Sequence, residues 1–173
     1  MEEEIQQELR ASCIRLLRTA GCDDRVIAHC CAVADLALEI AHRQPDRVDE
    51  ELVYQAALLH DLGRARSQGI DHAVIGGELA RRCRLDAKVI RIIERHIGAG
   101  IPAAEAKHLG LPAVDFVPET MEEKIVAHAD NLIDGLQRTS LEEAIATLQA
   151  KMGANHPAIE RMRALHREVM GTS

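Results

Sequence analysis

The chain has 173 residues, 47% hydrophobic and 28% charged, which fits one soluble globular domain able to bury a core of its own. Its apolar content is aliphatic, with one Phe, one Tyr and no Trp, and this disfavours a base-stacking platform for single-stranded nucleic acid. A formal net charge of −7 argues against wrapping a long phosphate backbone, whose affinity comes from Lys and Arg, while a small phosphorylated ligand held by a local cation stays compatible with it.

Helical periodicity runs through nearly the whole chain. A first helix is predicted over roughly residues 2–19; "GCDD" breaks it, and Asp23 or Asp24 caps a second that runs to about His42. The turn "RQPDRVD" leads into a third helix through "EELVYQAALLHD". The loop "LGRARSQGI" precedes a fourth helix from about His72 to Cys83, and a fifth spans about Asp86 to Ile97. The Gly- and Pro-containing stretch "GAGIPAAEAKHLGLPAVDFVP" reads as the longest irregular region, with one short helix inside it. Pro118 is expected to open a helix through Asp134, at the first-turn position where proline is tolerated. Two more helices follow, near 140–152 with Ser140 as cap and near 157–169 with Pro157 at the start. No repeat, low-complexity tract or linker interrupts this pattern. The expected fold class is therefore all-α, a compact multi-helix bundle forming one domain over 1–173, with a core at about 25–135 and C-terminal helices at about 140–170 that complete the bundle or pack in a dimer.

Cys13, Cys22, Cys30, Cys31 and Cys83 are odd in number and contain no C-x-x-C pair, so neither a disulfide framework nor a thiolate zinc knuckle is suggested. They read as small buried hydrophobes. No run approaches the ~18 apolar residues of a membrane span, and the opening "MEEEIQQE" is acidic where a secretory signal is basic. The expected location is the cytoplasm.

Residues three, four and seven apart share a helix face, and by that spacing ionisable groups point at the core. His29 lies on the face of Val26, Val33 and Leu36, His60 on that of Val53 and Ala56, and His72 on that of Ile75, Gly76 and Leu79. His96 follows Ile92 and Ile93, Asp130 lies between Val126 and Ile133, and Asp61 follows His60 directly. One histidine on an apolar face is ordinarily a hydrogen-bonded core residue. Several such groups on different helices are most simply satisfied together by a cation. Imidazole and carboxylate without thiolate suit Fe, Mn, Ni, Co or Zn better than Mg or Ca.

The order His29, His60-Asp61 within "HDLGR", then Asp130 within "AHADNL" resembles the H…HD…D signature of the HD-domain metal-dependent phosphohydrolase superfamily, and "DHAVIGGELARR" and "IERHIG" resemble the extra-histidine segments of its binuclear members. The likeness spans roughly residues 25–135, and the chain as a whole is similar to small archaeal-type HD proteins. The resemblance implies one or two divalent ions. His29, His60, Asp61 and Asp130 would hold the first; His72 and His96 would complete a second that Asp61 bridges. Such a centre acidifies a bound water and neutralises charge on a phosphoryl oxygen. Asp61 is then both ligand and orienter of the nucleophile, and Arg64 matches the family's basic residue after the HD pair, a candidate phosphate contact. Arg95-His96 stands where binuclear cyclic-dinucleotide phosphodiesterases often carry His-His, and a G-Y-P signature is absent, so cyclic di-GMP specificity is not implied. Two other readings share the donor set: a di-iron HD-fold oxygenase and a non-catalytic metal- or nucleotide-binding regulator.

Other residues carry blander expectations. His128, about 200° from Asp130 around its helix, is expected on a rim or behind the ligands. His42, His108, His156 and His166 read as solvated or capping, Arg25 as an exposed helix-start residue, and the 141–151 charges as a solvated face. Tyr54 is expected not to reach the centre.

Overall fold

Capping side chains and glycine or proline breaks divide the chain into helices largely where the pattern places them. In a computed structural model that describes residues 3–44 and 48–171, these are α1 (Glu3–Ala20), α2 (Asp24–Ala41), α3 (Glu50–Leu59), α4 (His72–Arg82), α5 (Ala87–Arg95), α6 (Ala103–His108), α7 (Met121–Asn131), α8 (Leu141–Met152) and α9 (Pro157–Met170). The expectations for Glu2 and for the middle of the "RQPDRVD" turn lie outside the described residues. Asp23, not Asp24, caps α2, accepting from the Arg25 and Val26 amides. Ser140 and Glu143 form a reciprocal capping box on α8, and His156 caps α9 with Pro157 following it.

Three boundaries differ from expectation. α7 begins at Met121, because Thr120 accepts the Glu123 amide while Glu123 accepts that of Glu119, which leaves Pro118 in the extended approach. Its other end stops at Asn131, where the chain turns into a two-residue-strand hairpin, β1 (Ile133–Asp134) with β2 (Gln137–Arg138). α3 ends one residue before His60, and Leu62–Ala65 forms a 3-10 turn within the expected loop.

α2 packs against α3 and α7, α4 against α5 and the 3-10 turn, and α9 against α7 and α8. One apolar cluster runs from Cys13 and Leu17 of α1 through Val33, Val53, Leu58 and Ile93 to Ile159, Leu165 and Val169 of α9. The C-terminal helices therefore belong to the same core as the rest. A smaller cluster of Ile101, Ala106 and Phe116 closes the α6 segment, pinned by an Ile101–Phe116 bridge. Cys13, Cys22 and Cys30 are buried as expected, whereas Cys31 is half-buried and Cys83 exposed, at the end of α4. Among the described residues no helix is long and apolar enough to cross a membrane.

Candidate metal centre

Helix ends converge at one place in this bundle. His60 and His96 occupy the C-terminal caps of α3 and α5, His72 begins α4, His29 lies on α2, and Asp130 sits in the last turn of α7. Carbonyls in a final helical turn lack the usual partner four residues on, and the centre uses them. The Nδ1–H of His60 donates to the Ala57 carbonyl (2.7 Å) and that of His96 to the Ile93 carbonyl (2.7 Å). His72 donates to Gly69 (2.8 Å), and His29 donates across the fold to Gly135 at the tip of the hairpin (3.1 Å). A carbonyl can only accept, so each Nδ1 carries a proton and each ring directs its Nε2 inward.

Those nitrogens meet carboxylate oxygens. Asp61 Oδ1 lies 3.0 Å from His72 Nε2 and 3.7 Å from His96 Nε2, and Asp130 Oδ1 lies 3.0 Å from His29 Nε2 and 3.4 Å from His60 Nε2. The Nε2 atoms of His72 and His96 are 3.1 Å apart, and buried His60 Nε2 has no hydrogen-bond partner. Facing acceptors repel unless positive charge stands between them. Three triads, His29/His60/Asp61, His60/His96/Asp130 and Asp61/His72/His96, each bring their ligand atoms within 4.8 Å of one another. The donor set thus fits one or two first-row divalent ions, and all six sequence-predicted positions are brought together.

The charges agree with this geometry. Burial opposes a charged His60, yet the neighbouring Cys30, Asp61 and Asp130 outweigh it and hold its pKa well above the ordinary imidazole value, so a proton that a metal ion would displace supplies positive charge at this point. Burial also works against ionised Asp61 and Asp130, but the surrounding imidazoles prevail and both lie far below the usual carboxylate range. Burial and the charge of His60 push His96 down to about 4. The cluster keeps both carboxylates ionised and favours a cation among them.

A cleft of about 520 Å³ opens over the cluster. Arg64 lines it, with Nε donating to Asp61 Oδ1 (3.2 Å) and Nη1 to the Gln68 carbonyl (2.8 Å), so its remaining N–H groups are available to a ligand. Two features of the cleft were not expected. The hairpin supplies Ile133, Asp134 and Gly135 to the wall, and Lys151 reaches it from the end of α8. An Asp-Gly pair between apolar residues is a hairpin signal that could have revealed the first; Lys151 carries no local signal. Arg25 is exposed and pairs with Asp23, and Tyr54 is buried against Arg10, away from the centre.

His128 is a correction. The side of α7 opposite Asp130 faces α9, not solvent, so His128 is fully buried with its Nε2 3.2 Å from Nδ1 of half-buried His166. Burial and His166 push His128 down to about 4. An unfolded histidine near pKa ~6.5 takes up its proton first as pH falls, so the stabilisation is complete above that value and is lost as pH drops toward 4, up to about 3 kcal/mol. Thermal melts are expected to show this acid loss in the wild type and a shallower one in His128→Gln; parallel profiles would contradict it.

A family model for the HD domain matches residues 26–134. Uncharacterized protein MJ0778 of Methanocaldococcus jannaschii is 47% identical over 151 residues, 86% of this chain and 89% of that protein. A tRNA (cytidine(56)-2'-O)-methyltransferase of Thermoplasma volcanium is 45% identical over 155 residues, which are 90% of this chain but 45% of that protein. Among solved structures, the HD domain of the L. monocytogenes phosphodiesterase PgpH in complex with cyclic-di-AMP shares the fold with a TM-score of 0.56 at 13% identity, covering 92% of this chain and 94% of that one. The chain belongs to the HD-domain family.

Proposed function

We propose that the protein is a metal-dependent phosphohydrolase, with a binuclear centre, that hydrolyses a small phosphorylated compound such as a nucleotide, a phosphodiester or a dinucleoside polyphosphate. The observation that carries this reading is the set of four backbone-anchored imidazoles whose Nε2 atoms face two ionised carboxylates beneath an open cleft. His29, His60, Asp61 and Asp130 would hold one ion and Asp61, His72 and His96 the other. Bound there, divalent ions supply Lewis-acid charge and an acidified water for attack at phosphorus.

The chain's own residues do the positioning. The Nδ1 anchors prevent ring rotation, which preorganises the donors at no cost when substrate arrives. Asp61 belongs to two of the triads and is fixed by Arg64, which supports a role for its carboxylate in orienting the attacking water. Arg64 would take phosphate oxygens with its free N–H groups. The pair of cations lining the cleft, Arg64 and Lys151, favours a phosphorylated substrate over the oxygenase reading. We keep the substrate small because the net charge of −7 opposes a long nucleic acid. A reducing cytoplasm suits the unpaired cysteines and the lack, among the described residues, of a membrane-crossing helix.

The test is metal analysis of protein purified without chelator, on the wild type and on His72→Ala, together with hydrolysis of a generic phosphodiester and phosphomonoester. About two ions per chain falling to about one, with metal-dependent hydrolysis by the wild type, is the expected result. About one ion in both proteins would remove His72 from the centre. Oxygen uptake dependent on reduced iron, without hydrolysis, would replace the reading.

A further inference from the structure

A cavity of about 410 Å³ lies between α8 and α9 and shares no lining residue with the cleft over the His/Asp cluster. Both helices fall outside residues 26–134, the part matched by the HD-domain model. Arg163, His166 and Arg167 line the cavity from α9, at a spacing that puts all three on one helix face. Opposite them α8 presents Leu141 and Ile145 as an apolar wall, with Glu142 and Gln149 beside it. Two guanidiniums against one carboxylate make this lining cationic, on a chain whose net charge is −7. Among the described residues Arg167 and Glu142 make no ion pair, and Arg163 pairs with exposed Glu160, a weak contact that a ligand can replace.

The third donor is set from inside the fold. His128 Nε2 and His166 Nδ1 are 3.2 Å apart, so one of the two carries the proton they share. His128 is fully buried, and its Nδ1 has no hydrogen-bond partner. If His166 donated, neutral His128 would carry its own proton on Nδ1, a buried N–H without an acceptor, which native folds rarely tolerate. His128 is therefore the donor, and what stays unpaired inside is a bare acceptor. His166 then accepts at Nδ1, and an imidazole with a lone pair there carries its proton on Nε2. That N–H lies on the ring edge away from His128, and nothing among the described residues accepts it. The buried pair thus makes His166 a hydrogen-bond donor to the cavity its ring borders.

We propose that the α8–α9 cavity binds a small organic anion, its carboxylate or phosphate oxygens taken by Arg163, Arg167 and the His166 Nε2–H and its carbon body lying against Leu141 and Ile145. Guanidinium groups match either kind of oxygen with paired N–H bonds. The volume is that of a site for an organic molecule, and an inorganic ion would leave the apolar wall uncovered. Glu142 repels a second anionic group and accepts from a hydroxyl or amino group, so the ligand is anionic at one end only, while Gln149 can meet either a donor or an acceptor. The site takes no part in the proposed hydrolysis, and neither reading depends on the other.

The test is NMR of the histidine ring nitrogens on the full chain purified with Zn²⁺, the His166 signals being assigned by their loss in His166→Phe. The probes are benzoate, phenylphosphonate and neutral benzyl alcohol, which share one carbon body and are not hydrolysed. In the free protein His166 is expected to carry its proton on Nε2. At least one of the two anions is expected to shift that resonance with a dissociation constant of about 1 mM or tighter. Arg163→Ala combined with Arg167→Ala, both at exposed positions, is expected to weaken that binding by at least about tenfold. Stronger binding of benzoate identifies the ligand as a carboxylate, and stronger binding of phenylphosphonate as a phosphate ester. Phenylphosphonate held at the His/Asp cluster is distinguished because its binding is unaffected by the two arginine substitutions. A bare His166 Nε2 in the free protein, no shift with either anion, equal binding of benzyl alcohol, or undiminished binding in the arginine variant would overturn the proposal.

Discussion

Asp61→Ala is expected to abolish metal binding and to lower kcat/KM for phosphate-ester hydrolysis by at least about 1,000-fold, roughly 4 kcal/mol of transition-state stabilisation. The magnitude follows from position. Asp61 belongs to two of the triads, so its loss removes a donor on both sides of the proposed centre. The vacated side leaves His72 and His96 with lone pairs 3.1 Å apart and no carboxylate to bring a cation between them. Arg64 loses the acceptor of its Nε–H as well, which frees the proposed phosphate contact from its orientation. Asp61→Asn separates shape from charge, since the amide preserves volume but presents a neutral oxygen and an N–H₂ where anionic oxygens stood. Both variants are expected to lose metal, with circular dichroism confirming that the helices remain. Full activity in either would refute the mechanism.

The inward direction of His29, His60, His72, His96 and Asp130 was legible because it depends on helical spacing, a property of a few neighbouring residues. Ser140 and Pro157 marked their helix starts for the same reason. What escaped depends on contacts between distant segments. Whether the face of α7 bearing His128 is wet or dry is decided by α9, some forty residues on, and periodicity shows only that it differs from the face of Asp130. Pro118 pointed to a helix start, but the Thr120 hydroxyl and the Glu123 carboxylate offered the backbone a better cap two residues later. The Nδ1 anchors of His60, His72 and His96 use carbonyls three residues back, yet become visible only once the helix ends are known. His29 differs, since its anchor is Gly135 on a hairpin that belongs to another part of the chain.

Gly63→Ala is expected to destabilise the protein by about 3 kcal/mol or more and to disturb the His72 side of the centre first. The glycine in "HDLGR" is required by contact, not by a left-handed backbone, since its φ is not among the positive values. A Cβ there would fall 1.8 Å from the His72 carbonyl oxygen and 2.6 Å from the Gly76 amide nitrogen. Both are backbone atoms of α4, so no rotamer relieves the collision and the helix must withdraw. Withdrawal carries His72 from Asp61, 3.0 Å away at present. Gly77→Ala, on the same helix, supplies the comparison: its Cβ meets the Glu94 side chain at 2.5 Å, which can swing aside at the expense of its ion pair with Arg81. That loss is within about 1 kcal/mol for an exposed pair and is offset by the better helix propensity of alanine. Denaturant unfolding of the two variants with metal analysis is therefore expected to separate them, Gly77→Ala near the wild type and Gly63→Ala far below it with about one ion lost. If Gly63→Ala matched the wild type in both, α4 would be free to move against the 3-10 turn, and the fixed spacing between Asp61 and His72 on which the proposed second ion depends would not exist.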